Sequence, residues 1–188
     1  MNVLYYTNKA ANALDAIEIV QDLGDNVFLW NDRITLELIR QEDIQFIVSD
    51  RSRFLISKNV ISHLQTKIIN LHPSFLPWNR GYYPNYWSIK EKTPFGVSIH
   101  RIDEGIDTGE ILAQTQCFYC ELDTLRTTYN RLRNQIVGLF RTCWPEIRLN
   151  QLPGISQDNE EGSHHLKSEF DGIFKTLPKG WDTKIVDI

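Results

Sequence analysis

The first third of the chain alternates short apolar runs with amphipathic stretches. Residues 3–6, 27–30, 44–48 and 67–71 are apolar runs of strand length. Between the first two, Ala13, Leu14, Ile17 and Val20 (and, less regularly, Ala10) fall at helical spacing over residues 10–23, and Gly24 provides a stop. A short helix is predicted over 34–40, where Leu38 follows Ile34 by one turn, and another within 56–64. Strands alternating with helices predict an α/β fold: an open, mostly parallel, Rossmann-like sheet with helices on both faces. Ligands of such sheets sit at the carboxyl ends of the strands.

The pattern breaks over residues 73–87. Three prolines (Pro73, Pro77, Pro84), Gly81, Trp78, Trp87, Tyr82, Tyr83 and Tyr86 exclude a regular element until a helix over 84–90. A long aromatic loop is more often functional than filler, although Tyr86 and Trp87 also fit a core. Two strands follow, 96–102 and 110–118, joined by a polar loop. The clearest helix covers 123–144, with Leu125, Tyr129, Leu132, Ile136, Leu139, Phe140 and Cys143 in one stripe. Asp123 is the expected cap, and Pro145 the expected stop. Beyond 150 the chain turns polar, and 157–165 reads as a surface loop. The organisation expected is a catalytic domain, 1–150, with a C-terminal extension, 151–188, making substrate-side or dimer contacts.

Composition changes this picture little. The 188 residues are 41% hydrophobic and 23% charged, as in an ordinary globular protein. A net charge of −4 argues against nucleic acid or an anionic membrane as partner. No segment approaches the ~20 apolar residues that span a bilayer. The first residues lack a basic stretch followed by a long apolar run, so no signal peptide is expected. Three cysteines, Cys117, Cys120 and Cys143, suit a reducing compartment, and a cytoplasmic location follows. Cys117 and Cys120 supply half of a zinc site at most. On a strand they face opposite ways, so a structural role is expected and no metal.

Two segments carry candidate chemistry. In Asn70-Leu71-His72-Pro73-Ser74-Phe75-Leu76-Pro77, Asn70 and His72 share one face at the end of a strand. An amide can donate to a developing oxyanion, and an imidazole can move a proton near neutral pH. An Asn-x-His pair is equally at home as satisfied polar residues. The second segment runs Gly96-Val97-Ser98-Ile99-His100-Arg101-Ile102-Asp103-Glu104-Gly105-Ile106-Asp107-Thr108-Gly109. Its acidic loop could be a solvated connection. It does not match the twelve-residue calcium loop.

Together the two segments, in this order and separation, resemble the 10-formyltetrahydrofolate-dependent formyltransferases, over residues 44–145. These enzymes include those acting on glycinamide ribonucleotide, methionyl-tRNA and amino sugars. The resemblance implies the formyltransferase fold, no metal, and Asn70, His72 and Asp107 as catalytic residues. Asn70 and His72 would stabilise the oxyanion, while Asp107 would orient His72 and help remove the amine proton. The stretch Val48-Ser49-Asp50-Arg51-Ser52-Arg53-Phe54-Leu55-Ile56 is similar to the folate-side loop, with Arg51 where glycine is usual. Arg53, Phe54, Leu55, Asp103, Glu104, Gly105, Ile106 and Asp107 are thus expected on the folate side.

No glycine-rich phosphate loop follows the first strand, and no basic domain follows the core. Both features favour an amino-sugar substrate over glycinamide ribonucleotide or transfer RNA. The loop from Leu76 to Trp87 is similar to that of sugar N-formyltransferases. The substrate expected is a nucleotide-linked amino sugar used for cell-surface polysaccharide. Its candidate contacts are Asn8, Lys9, Ser74, Trp78, Asn79, Arg80 and Tyr82, although loop polarity accounts for Ser74 equally well, as strand packing does for His100. The tail pair His164-His165 lines either the site or a homodimer interface. Two other functions remain open: a folate-binding protein without turnover, and a hydrolase releasing formate from the same folate.

Overall fold

The computed structural model describes residues 1–8, 13–157 and 161–188. Six strands form one sheet: β1 (Asn2–Tyr6), β2 (Asn26–Trp30), β3 (Phe46–Ser49), β4 (Ile68–His72), β6 (Gly96–Arg101) and β7 (Ile111–Gln116). Their order is β2-β1-β3-β4-β6-β7. The first four run parallel, while β6 and β7 are each antiparallel to their neighbours. A two-residue strand β5 (Arg80–Gly81) pairs in parallel with β8 (His164–His165) outside this sheet.

Side-chain alternation divides the core in two. Val3, Tyr5, Phe46, Val48, Ile69, Leu71, Val97 and Ile99 face α1 (Leu14–Gln21) and the long α5 (Leu125–Ile147). Leu4, Tyr6, Ile47 and Ile68 face the other way, against α2 (Leu36–Gln41) and α3 (Lys58–Leu64). Each fully buried aliphatic or aromatic side chain contributes about 1.5–3 kcal/mol, so this two-sided cover holds the sheet in place. A third cluster joins Tyr86 and Ile89 of α4 (Pro84–Lys90), Leu125, Phe170 of α6 (Lys167–Phe174), and Ile185. The tail is thereby packed onto the rest of the chain.

Two helices depart from expectation. In α1 the docking face is Ala13, Ala16, Ile19 and Val20, and Leu14 is 60% exposed. Ala10 lies outside the described residues. In α5 the cap is Thr124, whose Oγ1 accepts from the Thr127 N–H at 3.2 Å, and Thr127 reciprocates. Asp123 turns to Arg131 instead, at 2.8 and 2.9 Å. Pro145 lies inside α5 rather than beyond it. Its missing N–H falls near the helix end, on the exposed face, while Trp144 and Ile147 anchor the last turn in the core. Strand β7 ends at Gln116, so Cys117 and Cys120 lie beyond it, one buried and one exposed. No helix among the described residues is long and apolar enough to cross a membrane.

Candidate active site

The site forms where the second face of the sheet runs out of apolar residues. Along β4, Ile68 is core, but the next two positions on its face are Asn70 and His72. Strand β6 presents Ser98 and His100 on the matching face, and its register sets His100 opposite Asn70 and Ser98 opposite His72. The loop after β6 then brings Asp107 to these residues.

Asp107 is the centre of the group. One carboxylate oxygen, Oδ1, accepts from Asn70 Nδ2 at 3.2 Å and lies 3.4 Å from His100 Nε2. The other, Oδ2, accepts from the Gly81 N–H at 2.8 Å and lies 3.7 Å from His72 Nδ1. The Asp107 backbone takes a left-handed conformation, φ +55°, which is uncommon for a residue with a Cβ and held only when its surroundings demand it. Burial alone would raise its pKa. The positive charge of His72 and His100, whenever they are protonated, together with the Gly81 N–H, outweighs that and holds the carboxyl well below the usual range, so it is ionised.

The two imidazoles differ. His72 is 4% exposed, and burial pushes its pKa below the ordinary 6.5 against the opposing pull of Asp107. It is therefore neutral at pH 7. Its Nε2 lies 3.2 Å from the Asn79 carbonyl. A carbonyl only accepts, so Nε2 carries the proton and Nδ1 presents a lone pair towards Asp107. His100 Nδ1 lies 2.7 Å from the Arg101 carbonyl and is protonated by the same reasoning. Its Nε2 then accepts from Asn70 Nδ2 at 3.2 Å. The arrangement offers an amide donor, a proton acceptor and a fixed negative charge.

A cleft opens beside this group. Ser49, Ser52, Phe54, Leu55 and Ile56 line one wall, and Ile102, Asp103, Gly105, Ile106 and Asp107 the other, with Asn70 and His100 at the base. Leu55 is 79% exposed, an apolar side chain on the rim without cover. Arg53 and Glu104 do not line the cleft. The Arg53 guanidinium stands 5.2 Å from the Phe54 ring centroid, and Glu104 pairs with Lys58. Arg51 takes the left-handed conformation, φ +55°, that glycine adopts more readily. Its side chain ties back to Asp50 at 3.1 and 3.2 Å.

The aromatic loop supplies the opposite side. Ser74 and Asn79 are buried, and their polar groups are used internally: Ser74 with Trp78, and Asn79 with Thr93 and Ser163. They shape the loop rather than face solvent. Arg80 is also buried, and its Nε donates to Gln157 at 3.0 Å. Trp78 is half-buried, while Asn8 and Tyr82 are exposed. Lys9 lies outside the described residues. His165 stacks on Trp87, ring centroids 4.0 Å apart, inside the protein rather than in the cleft. Among the described residues, no cluster of three or more His, Cys, Asp or Glu is arranged to hold a metal ion.

Residues 31–141 match the family described as Formyl transferase. The chain belongs to the formyl transferase family. The crystal structure of the formyltransferase PseJ from Anoxybacillus kamchatkensis, in complex with UDP-4,6-dideoxy-4-formamido-L-AltNAc and tetrahydrofolate, superposes with a TM-score of 0.89 at 36% identity, over 99% of this chain and 96% of that one. The dTDP-4-amino-4,6-dideoxyglucose formyltransferase of Mycobacterium tuberculosis is 34% identical over 107 residues, 57% of this chain. The chain spans 45% of the length of that curated relative. A 4-N formyltransferase from Francisella tularensis shares the fold, with a TM-score of 0.80 at 21% identity over 92% of this chain and 79% of that one. The expected formyltransferase fold and family are thereby established.

Sequence reasoning read His100 as strand packing and passed over Gln157 and Ser163; the fold brings the first two to Asp107 and its loop and the third to Asn79 and Arg80. The strand pairing of Asn70 with His100 could have exposed the first, since both lie on the polar face. Nothing local marks the other two, which sit in a segment read as surface.

Proposed function

We propose that this protein transfers a formyl group from 10-formyltetrahydrofolate to the primary amine of a nucleotide-linked amino sugar. One observation carries the reading: an ionised, half-buried Asp107 in contact with Asn70 and within 3.7 Å of a neutral His72, at the base of a partly apolar cleft. The two related formyltransferases named for, or bound to, 4-amino and 4-formamido sugar nucleotides support the choice of amine, and the tetrahydrofolate in one of them supports the donor.

Asn70 would turn one N–H from its present partners to the formyl oxygen as negative charge develops there. Loss of such a donor typically costs about a hundred- to a thousandfold in rate. The amine nitrogen bonds to the formyl carbon, and the bond from that carbon to the folate nitrogen breaks. His72 would accept the amine proton at Nδ1, directly or through water, and Asp107 would stabilise the imidazolium. That proton would then pass to the departing folate nitrogen, which leaves as the neutral amine. Because the Nε2–H of His72 is engaged by Asn79, this reading gives oxyanion stabilisation chiefly to Asn70. Backbone groups of the 103–107 loop, with Phe54, Leu55 and Ile106, suit a flat heteroaromatic ring, which supports the cleft as the folate side. Arg80, Tyr82, Trp78, Asn8 and Lys9 remain the proposed sugar-nucleotide side, with residues 151–188 as an extension serving that side. A cytoplasmic homodimer making precursors of cell-surface polysaccharide completes the proposal.

The test is incubation with 10-formyltetrahydrofolate and a panel of UDP- and dTDP-linked amino sugars, 4-amino sugars first. The expected product is about 28 mass units heavier, the mass of CO, which tests discrimination within the panel. Formate released at the same rate with or without amine would make the protein a hydrolase instead, and folate binding with neither product would make it a binding protein.

A further inference from the structure

Gln157 lies in a segment whose sequence has only surface character, yet its side chain makes three hydrogen bonds to the site. Nε2 donates to the Asp107 carbonyl at 2.9 Å and to the Gly109 carbonyl at 2.7 Å, using both of its hydrogens. Oε1 accepts from Arg80 Nε at 3.0 Å. One amide therefore ties the backbone of the Asp107 loop to the arginine proposed for the sugar nucleotide.

The surrounding chain fixes that amide. Two residues earlier, Ile155 exchanges backbone hydrogen bonds with Ile111, at 2.8 and 2.9 Å. Six residues later, Ser163 accepts from the Asn79 N–H through its hydroxyl at 3.0 Å and from the Arg80 N–H through its carbonyl at 2.9 Å. His164 and His165 then pair with Arg80 and Gly81. Gly81 sits at φ +89°, and a Cβ there would fall 2.4 Å from the His165 carbonyl oxygen, so the close pairing requires glycine. The N–H of this same Gly81 holds Asp107 Oδ2.

We infer that Gln157 is a positioning residue for the Asp107 carboxylate, keeping its loop in the left-handed conformation and in register with Arg80 and Gly81. The inference rests on the proposed formyl transfer for its kinetic test, but its structural consequence is independent of substrate. Misplacing a reacting group by about 1 Å can cost on the order of a hundredfold in rate.

Two variants separate the roles of the amide. Gln157→Glu keeps an acceptor for Arg80 but sets an oxygen against two carbonyls. It should lower kcat about ten- to a hundredfold and leave KM for the sugar nucleotide within a factor of about three, inside the measured scatter expected of an untouched contact. Gln157→Leu removes all three bonds and should also raise that KM. Amide exchange of Gly81, read by NMR without ligand, should accelerate in both variants while the amides of Val3–Tyr6 stay protected. If wild type transfers no formyl group, the functional reading fails and the Gly81 exchange still decides the inference. Unchanged Gly81 exchange in both folded variants, or wild-type kcat in Gln157→Glu, overturns it.

Discussion

Asp50, fully buried, and Asp107, half-buried, are both carboxylates at loops next to the sheet, and their surroundings could hardly differ more. Asp50 is held by permanent charges: Arg133 binds it through two nitrogens, each at 2.8 Å, Arg51 adds 3.1 and 3.2 Å, and the Tyr5 hydroxyl donates at 2.9 Å. Its oxygens are saturated at short range by groups that keep their protons. Asp107 faces two imidazoles at 3.4 and 3.7 Å and an amide at 3.2 Å, with one short bond, from Gly81. Imidazole, unlike guanidinium, is a side-chain group able to give up or take on a proton. A carboxylate that fixes structure is surrounded by arginine. Asp107, the one proposed to take part in chemistry, is surrounded by histidine and an amide, with one short bond.

The largest stability change should come from the Asp50 side. Asp50→Ala strands Arg133 beside the core, where it is 11% exposed, and removing one member of a buried ion pair costs about 3–5 kcal/mol. Urea unfolding followed by fluorescence measures this, and a loss below about 1 kcal/mol, the level of a surface pair, would break the comparison.

Acidification should act next. For His72 the folded pKa lies below 6.5, so the unfolded chain takes up this proton first, and stability declines as pH falls through about 6.5. Asp107 and Asp123 have depressed folded pKa values. The stability they contribute is present above about pH 4 and lost as pH falls further. Thermal unfolding between pH 8 and 3 should therefore show two separate declines, and His72→Asn should remove the upper one. On the same grounds kcat should fall on the acid side below pH 6.5, as His72 loses its capacity to accept a proton.

The smallest effect concerns Arg51. Arg51→Gly relieves a left-handed backbone but gives up an ion pair that Arg133 already duplicates. The two terms offset, and the urea midpoint should move by no more than about 1 kcal/mol equivalent. A larger loss would place Arg51 beside Arg133 as an equal partner of Asp50.

The contrast between the carboxylates also explains what could be read from the sequence. The parallel half was legible because each strand is an apolar run bounded by helical spacing, as in Val3–Tyr6 and Ile68–Ile69. Asn70 and His72 were legible because alternation on β4 makes their shared face certain once the strand is. Asp107 came through motif resemblance, since no local rule brings position 107 to position 70. Asp50 went unremarked because its partner, Arg133, lies 83 residues away. The caps of α5 show the same limit: Asp123 and Thr124 are both good capping residues, and Arg131 decided between them. Gln157 needed the whole fold, as its partners come from β5 and from the loop before β7.

The most direct test of the central claim is turnover by Asp107→Asn, with unfolding of the same protein recorded alongside. The amide keeps the size of the side chain but removes the charge that would stabilise an imidazolium, and an equivalent change in a His–Asp pair costs on the order of ten-thousandfold in kcat. The predicted result is formyl transfer lowered by about that factor, with a melting temperature close to wild type. Turnover within about tenfold of wild type, a loss of only ~1.4 kcal/mol in the barrier, would contradict the assignment of Asp107 as the reactive carboxylate.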